Sequence, residues 1–286
     1  MSRIKILDGA MGTELISFGE KLPSHIWSAS TNLTNPELIY KIHKQYIKAG
    51  VDYITTNTFR TTPRSFSKIE LNQVEAYNMA KKSFDSAIDM AKKASNDKVK
   101  ILGSIAPLED CYLPALFPKK SQAKKEFKEL GYWFYQEKID IIILETMNSI
   151  IETEICLEAI KNFNIPIWVS YNLLNSTQIL SGDSLIDAIK ILDKYPVECL
   201  LLNCNPLNRT IKGAEIVKNN WNKKWGVYPN IGIGDPSPDG IIKNYHTDQE
   251  FVILLDEIIE LGVDIIGGCC GSNIHHIDLI KNRIKI

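Results

Sequence analysis

The chain has 286 residues, 44% hydrophobic and 23% charged, which excludes disorder, collagen and a coiled coil as whole-chain readings. Lys plus Arg number 33 against 34 Asp plus Glu, a net charge of −1, which argues against nucleic acid or an anionic membrane as a partner held by bulk charge. No apolar run approaches a membrane span and the N-terminal apolar stretch is too short for a signal peptide, so a cytoplasmic protein with small-molecule partners is expected.

Taken in chain order, eight short apolar or β-branched runs recur, at 3–7, 51–56, 99–104, 139–144, 165–170, 197–202, 225–228 and 263–268. Most are continuous rather than alternating, as in strands buried on both faces. Each gap has room for a helix. After the first run, Asn35 is placed to cap a helix with Pro36 at its first position. Ile39, Ile42, Tyr46 and Ala49 then share one face, and Gly50 stands at the C-terminal stop. Before the last run, Phe251, Leu254, Leu255, Ile258 and Ile259 form a second stripe, closed by Gly262. Strands alternating with helices predict an α/β chain folded as one (β/α)8 TIM-type barrel. An open doubly wound sheet is the rival, because periodicity does not show closure. The segments after the strands are long at 8–35, after the second and third strands and at the Pro/Gly-rich 229–240, whereas the helix-to-strand turns are short. The site is therefore expected at the C-terminal strand ends.

Six cysteines, Cys111, Cys156, Cys199, Cys204, Cys269 and Cys270, are read as thiols or metal ligands rather than a disulfide framework. Cys269 and Cys270 sit between Gly267-Gly268 and Gly271, directly after the last run, and Cys204 lies two residues past the sixth. The ends of the sixth and eighth strands share one rim. Three thiolates converging there would make an open zinc site with its fourth position left for substrate. A buried cysteine is more often a small hydrophobe, and that reading is kept for Cys111, Cys156 and Cys199. Spacing alone leaves the zinc site and plain packing evenly matched. His275-His276 open a predicted final helix and read as capping or surface residues, since helix neighbours do not face one site. Gly232-Ile233-Gly234 lacks the full fingerprint of a phosphate loop.

With these residues in place the sequence resembles the zinc-dependent homocysteine S-methyltransferases over nearly its whole length. The resemblance rests on DGAMGTEL at 8–15, TTNTF at 55–59, GSIAP at 103–107, Glu145-Thr146-Met147, Asn203-Cys204, Tyr228-Pro229-Asn230 and GGCCG at 267–271. It implies one homocysteine-binding barrel domain over 1–286, with Zn²⁺ held by Cys204, Cys269 and Cys270 as the catalytic centre. It also implies Glu145 as partner of the homocysteine ammonium, and the Asp8-Gly9-Ala10 turn as the cradle of the substrate carboxylate through backbone N–H groups. Read from residues alone, Glu145 is better taken as a carboxylate at a helix N-terminus, and 8–10 as an ordinary turn. Thr56 and Asn57, like Asn203 and Asn230, either line the pocket or bond the backbone.

Methyl transfer to sulfur needs a thiolate, and a free thiol titrates near about 8.5; a coordinating metal deprotonates it. The expected reaction moves a methyl group from a sulfonium donor, S-methylmethionine or S-adenosylmethionine, to L-homocysteine, giving methionine. The family's other donors are betaine, and methyltetrahydrofolate through cobalamin. No folate or cobalamin domain fits in 286 residues, and betaine-type members carry an aromatic where this chain has Thr146. The stretch 25–29, and Thr62-Pro63 followed by Phe66, look closer to stand-alone sulfonium users. Trp27 is the expected aromatic face for the sulfonium; Phe59 and Tyr112 read equally as loop packing. Methylation of another thiol, or a non-catalytic zinc- or thiol-binding relative, are the alternatives.

Overall fold

All eight runs form parallel strands: β1 (Lys5–Ile6), β2 (Tyr53–Thr55), β3 (Lys100–Ile105), β4 (Ile141–Met147), β5 (Ile167–Tyr171), β6 (Val197–Asn203), β7 (Lys224–Tyr228) and β8 (Ile265–Ile266). They come from a computed structural model that describes residues 3–234, 242 and 244–285. The hydrogen-bonded order is β1-β8-β7-β6-β5-β4-β3-β2. A parallel bridge between Leu7 and Tyr53 joins the two ends of that row. The sheet thus closes into the (β/α)8 barrel, and the open sheet is excluded. β1 and β8 are short because the chain bends at once into Asp8-Gly9 and Gly267-Gly268. β4 and β6 run on to Met147 and Asn203, beyond their predicted ends.

The strands are buried on both faces, as continuous apolar runs require. One face fills the barrel: Leu7, Leu102, Ile143, Trp168, Leu201 and Ile265 belong to one interior cluster. The other packs on the helices, with Ile142, Leu144 and Leu200 in the large outer core. At the N-terminal ends one device recurs. Asp52 accepts from the Ile6 N–H at 2.9 Å and Lys5 Nζ at 2.8 Å. Asp140 accepts from the Ile101 N–H at 2.9 Å and Lys100 Nζ at 2.6 Å. Asp264 accepts from the Trp225 N–H at 3.0 Å.

Helix Pro36–Ala49 buries Ile39, Ile42, Tyr46 and Ala49 and stops at Gly50 with φ 106°, as predicted. Asn35 occupies the cap position but makes no side-chain cap; its amide instead donates to Glu20 Oε1 at 2.9 Å, closing the first loop. In helix Asp248–Glu260 the predicted stripe is buried except for Ile259, which is half-buried. Helix Ile274–Arg283 is capped by Asn273 with the His276 ring completing the box, while His275 meets Asp248 at 2.7 Å on the surface. The first long loop folds into helix Gly12–Ser17, a 3₁₀ turn Trp27–Ser30 and helix Thr31–Thr34. Of the predicted loop 229–240, positions 235–240 lie outside the described residues. Among the described residues, no helix is long and apolar enough to cross a membrane.

Candidate active site and metal centre

Side chains alternate along a strand, and that period carries the site. On β4, Ile141 and Ile143 face the barrel interior, so Glu145 falls on the same face one step higher. The same step takes Leu102 to Ser104, Trp168 to Ser170 and Leu201 to Asn203. A polar layer therefore lies over an apolar floor. The Ser104 hydroxyl donates to Glu145 Oε2 at 2.6 Å. Fully buried Asn203 accepts from Ser170 Oγ at 2.7 Å and the Thr146 N–H at 3.2 Å, and donates to Thr146 Oγ1 at 2.8 Å. Its amide nitrogen also lies 4.0 Å from Cys269 Sγ. These bonds hold a strained backbone: Thr146 has φ 59° at a break in the β4 register, and Cys204 has φ 57°. A β-branched residue rarely adopts this conformation, and such strain gathers at functional sites.

Cys204, Cys269 and Cys270 converge, their sulfurs all within 4.8 Å of one another and those of Cys204 and Cys270 at 3.3 Å. The glycines that flagged them permit close backbone approach: a Cβ on Gly267 would stand 2.8 Å from Leu7 Cβ, and one on Gly268 would collide with Ser272. Cys204 is pulled well below the ordinary thiol range because Cys269, Cys270 and Tyr112 donate to it. Cys269 and Cys270 are pushed up by that first negative charge and by burial. Tetrahedral zinc with Zn–S near 2.3 Å spaces its sulfurs about 3.8 Å apart, so small side-chain shifts would fit these three donors to the ion. The Tyr112 hydroxyl reaches Cys204 Sγ at 3.6 Å, which places this residue at the thiols. Cys111, Cys156 and Cys199 are buried outside the cluster, Cys111 being pushed up to about 12 by burial.

Asp8, Gly9, Ala10, Trp27, Thr56, Asn57 and Glu145 line the same cavity of about 200 Å³ as the three thiols, whereas Asn203 and Asn230 do not. Glu145 lies within β4, and the next helix, Ile150–Ile160, is capped by Ser149, so Glu145 is not a helix-terminal carboxylate. Burial pushes its carboxyl up to about 7, with Ser104 opposing and Cys204 adding to the rise. Asp8 is buried and pushed up likewise, but both its oxygens are taken by Thr55, N at 2.8 Å and Oγ1 at 3.1 Å. The Ala10 N–H donates to Ser272 Oγ at 3.1 Å, and Gly9 lies so close to Tyr46 that a Cβ would be 2.6 Å from its hydroxyl. Thr56 Oγ1 pairs with Thr58 at 2.8 Å and accepts from the Ser104 N–H at 3.1 Å. The Asn57 amide donates to Ser28 O at 2.9 Å and Asn32 Oδ1 at 2.8 Å, tying the Trp27 segment down beside β2. Trp27 itself has φ 46° and packs on Gly12. The Phe59 ring faces the Arg60 guanidinium at 5.6 Å. Asn230 bonds its own turn at Gly232 and Gly234. Sequence reasoning missed Ser104, Ser170, Arg60 and the side chain of Tyr228, whose buried hydroxyl lies against Glu145 and Ser170. Ser104 and Ser170 were available from the period of two.

The family model for homocysteine S-methyltransferase matches residues 5–284. A homocysteine S-methyltransferase of Zea mays is 28% identical, the match covering 98% of this chain and 89% of that protein. A selenocysteine Se-methyltransferase of Brassica oleracea var. italica is also 28% identical, over 98% of this chain and 88% of its own. The metallated homocysteine methyltransferase MmuM from Escherichia coli superposes with a TM-score of 0.84 at 25% identity, covering 99% of this chain and 96% of that one.

Proposed function

This chain belongs to the homocysteine S-methyltransferase family, and on that premise we propose that it transfers a methyl group from S-methylmethionine or S-adenosylmethionine to the thiol of L-homocysteine, giving methionine. The whole chain, 1–286, acts as one homocysteine-binding domain in the cytoplasm, with zinc on Cys204, Cys269 and Cys270. The observation that carries this reading is the convergence of three thiols, within 4.8 Å of one another, on a cavity that Glu145 also lines. A zinc ion held there supplies the Lewis acidity that keeps an added thiol ionised at neutral pH.

The chain's own residues do the rest by placement. Glu145 receives the substrate ammonium. Burial, and to a lesser extent the charge of Glu145, raise the cost of ionising Asp8, which favours a cationic ligand between the two carboxyls. The Tyr228 hydroxyl, buried beside Glu145, offers its oxygen as an acceptor to the same ammonium. The 8–10 turn presents its backbone to the substrate carboxylate, with the Ala10 N–H already held by Ser272. Trp27 offers its ring to the sulfonium. In the transfer a lone pair on the homocysteine sulfur forms the new S–C bond. The donor's S–CH₃ bond breaks, and its electron pair stays on the donor sulfur, now a neutral thioether. The acceptor thiol's proton leaves to solvent.

The test is methionine formation from homocysteine with S-methylmethionine, S-adenosylmethionine or betaine, with and without a chelator. Turnover with a sulfonium, none with betaine, and loss on chelation are expected. Turnover with betaine alone overturns the donor; chelator-insensitive turnover overturns the metal. Because one relative is a selenocysteine Se-methyltransferase, selenocysteine, a selenol, and thiols other than homocysteine belong in the acceptor panel. Activity on those and none on homocysteine would overturn the acceptor.

A further inference from the structure

We propose that Arg60 receives the carboxylate of the methyl donor and so selects an amino-acid sulfonium over a bare one; this deepens the methyl-transfer reading and rests on it. Arg60 follows Phe59 on the segment after β2 and lines the cavity of the three thiols. It is only 9% exposed. Nη1 donates to the Glu109 carbonyl at 2.7 Å, while Nε and Nη2 have no protein partner among the described residues. Nor does any carboxylate among the described residues lie within ion-pair distance of it. Glu152, buried nearby, feels its charge without pairing with it. Asp110, exposed at the rim, accepts instead from the Tyr112 N–H at 2.9 Å. The contrast with Arg64, four residues on, is direct: that guanidinium is matched by Glu109 at 2.9 Å and Glu126 at 2.7 Å.

The guanidinium N–H groups that bond no protein atom are not sealed from solvent, and Arg60 lines the cavity, so they are open to a ligand. The planar guanidinium fork fits a carboxylate through two parallel hydrogen bonds. Homocysteine has its own places for both charged ends, at the 8–10 turn and Glu145, so a second carboxylate belongs to the donor. The position agrees: Arg60 shares its segment with Phe59, and Asn57 ties that segment to the one carrying Trp27. A bare sulfonium in this cavity would be repelled by the guanidinium. S-Methylmethionine and S-adenosylmethionine both carry a carboxylate three carbons from the sulfonium sulfur, which cancels that repulsion.

The experiment compares wild type, Arg60→Gln and Arg60→Lys with S-methylmethionine and with (3-aminopropyl)dimethylsulfonium, the same donor lacking its carboxylate. In Arg60→Gln the KM for S-methylmethionine is expected to rise about 10- to 100-fold, with kcat and the homocysteine KM within about twofold. The decarboxylated donor should be used at least as well by Arg60→Gln as by wild type, because the repelling charge is gone, and Arg60→Lys should recover only part of the loss on S-methylmethionine. Calorimetric binding of S-methylmethionine alone should weaken by the same factor, whatever the outcome of the turnover assay. An unchanged KM and affinity in Arg60→Gln, an equal loss on both donors, or a loss on homocysteine instead would each overturn the assignment. If no donor yields methionine with wild type, the methyl-transfer reading fails, while the calorimetric ratio still decides Arg60.

Discussion

Replacing Glu145 with Gln removes one charge and leaves the shape. Its carboxyl is pushed up from an ordinary 4.5 to about 7, chiefly by burial. Below about pH 4.5 the group is neutral in both folded and unfolded chains and exerts no penalty. Between about 4.5 and 7 the unfolded chain gives up its proton first, so stability falls as pH rises through that window. Above about 7 the folded state carries the charge at a cost of about 3 kcal/mol. Glu145→Gln should therefore melt higher than wild type at pH 8 and at nearly the same temperature at pH 4.5. The functional effect runs the other way. A charge-assisted bond to the homocysteine ammonium contributes about 1.5–3 kcal/mol, so the homocysteine KM should rise roughly 10- to 150-fold with bound zinc unchanged. The wild-type kcat/KM for homocysteine should fall as pH drops below about 7, and the variant should lack that limb. Steady-state kinetics across pH, calorimetric melting and metal analysis measure all three. A wild-type homocysteine KM in the variant, or no gain in melting temperature at pH 8, would refute the argument.

Cys269→Ala or Cys204→Ala should lose zinc and turnover while keeping a native far-UV spectrum, and Cys156→Ser should keep its metal; zinc retained at full occupancy in Cys269→Ala would remove the metal assignment. Trp27→Ala should raise the sulfonium KM about 2- to 30-fold, from a cation–π contribution of about 0.5–2 kcal/mol, with homocysteine affinity unchanged in the same assay. Asn203→Ala strips partners from Ser170 and Thr146 together, so about 2–4 kcal/mol of stability should go, read as a melting point lower by roughly 5–10 °C; a shift under about 2 °C would mean that Thr146 holds its backbone without help.

The barrel was legible because each strand is a continuous apolar run between turn residues, and the thiols because paired cysteines flanked by glycines at a strand end stand apart from cysteines placed inside an element. Closure was not legible: it rests on contacts such as the Leu7–Tyr53 bridge and the Ile6–Asp52 and Asp8–Thr55 bonds, between segments far apart in sequence. Asn35 carried the right signal at the right place, yet Glu20 took its side chain, a tertiary contact that local pattern does not encode. Tyr112 read equally as a sulfonium face or as loop packing, because nothing in sequence shows that its segment folds back over Cys204. Arg60 and Arg64 look alike in sequence; only the fold decides that carboxylates reach one and not the other.

The aspartates at the opposite end of the barrel bind β1 to β2, β3 to β4 and β7 to β8, over spans of 46, 39 and 39 residues. Each bond stays within one strand–helix–strand unit. A cut in the turn at Asn164, between β4 and β5, crosses none of them. The first half would keep two of its pairings and the second half one, each still setting the relative height of its strands. Each fragment would keep the height of its own paired strands, while re-closing the barrel would rest on the backbone pairing of β4 with β5 and of β1 with β8.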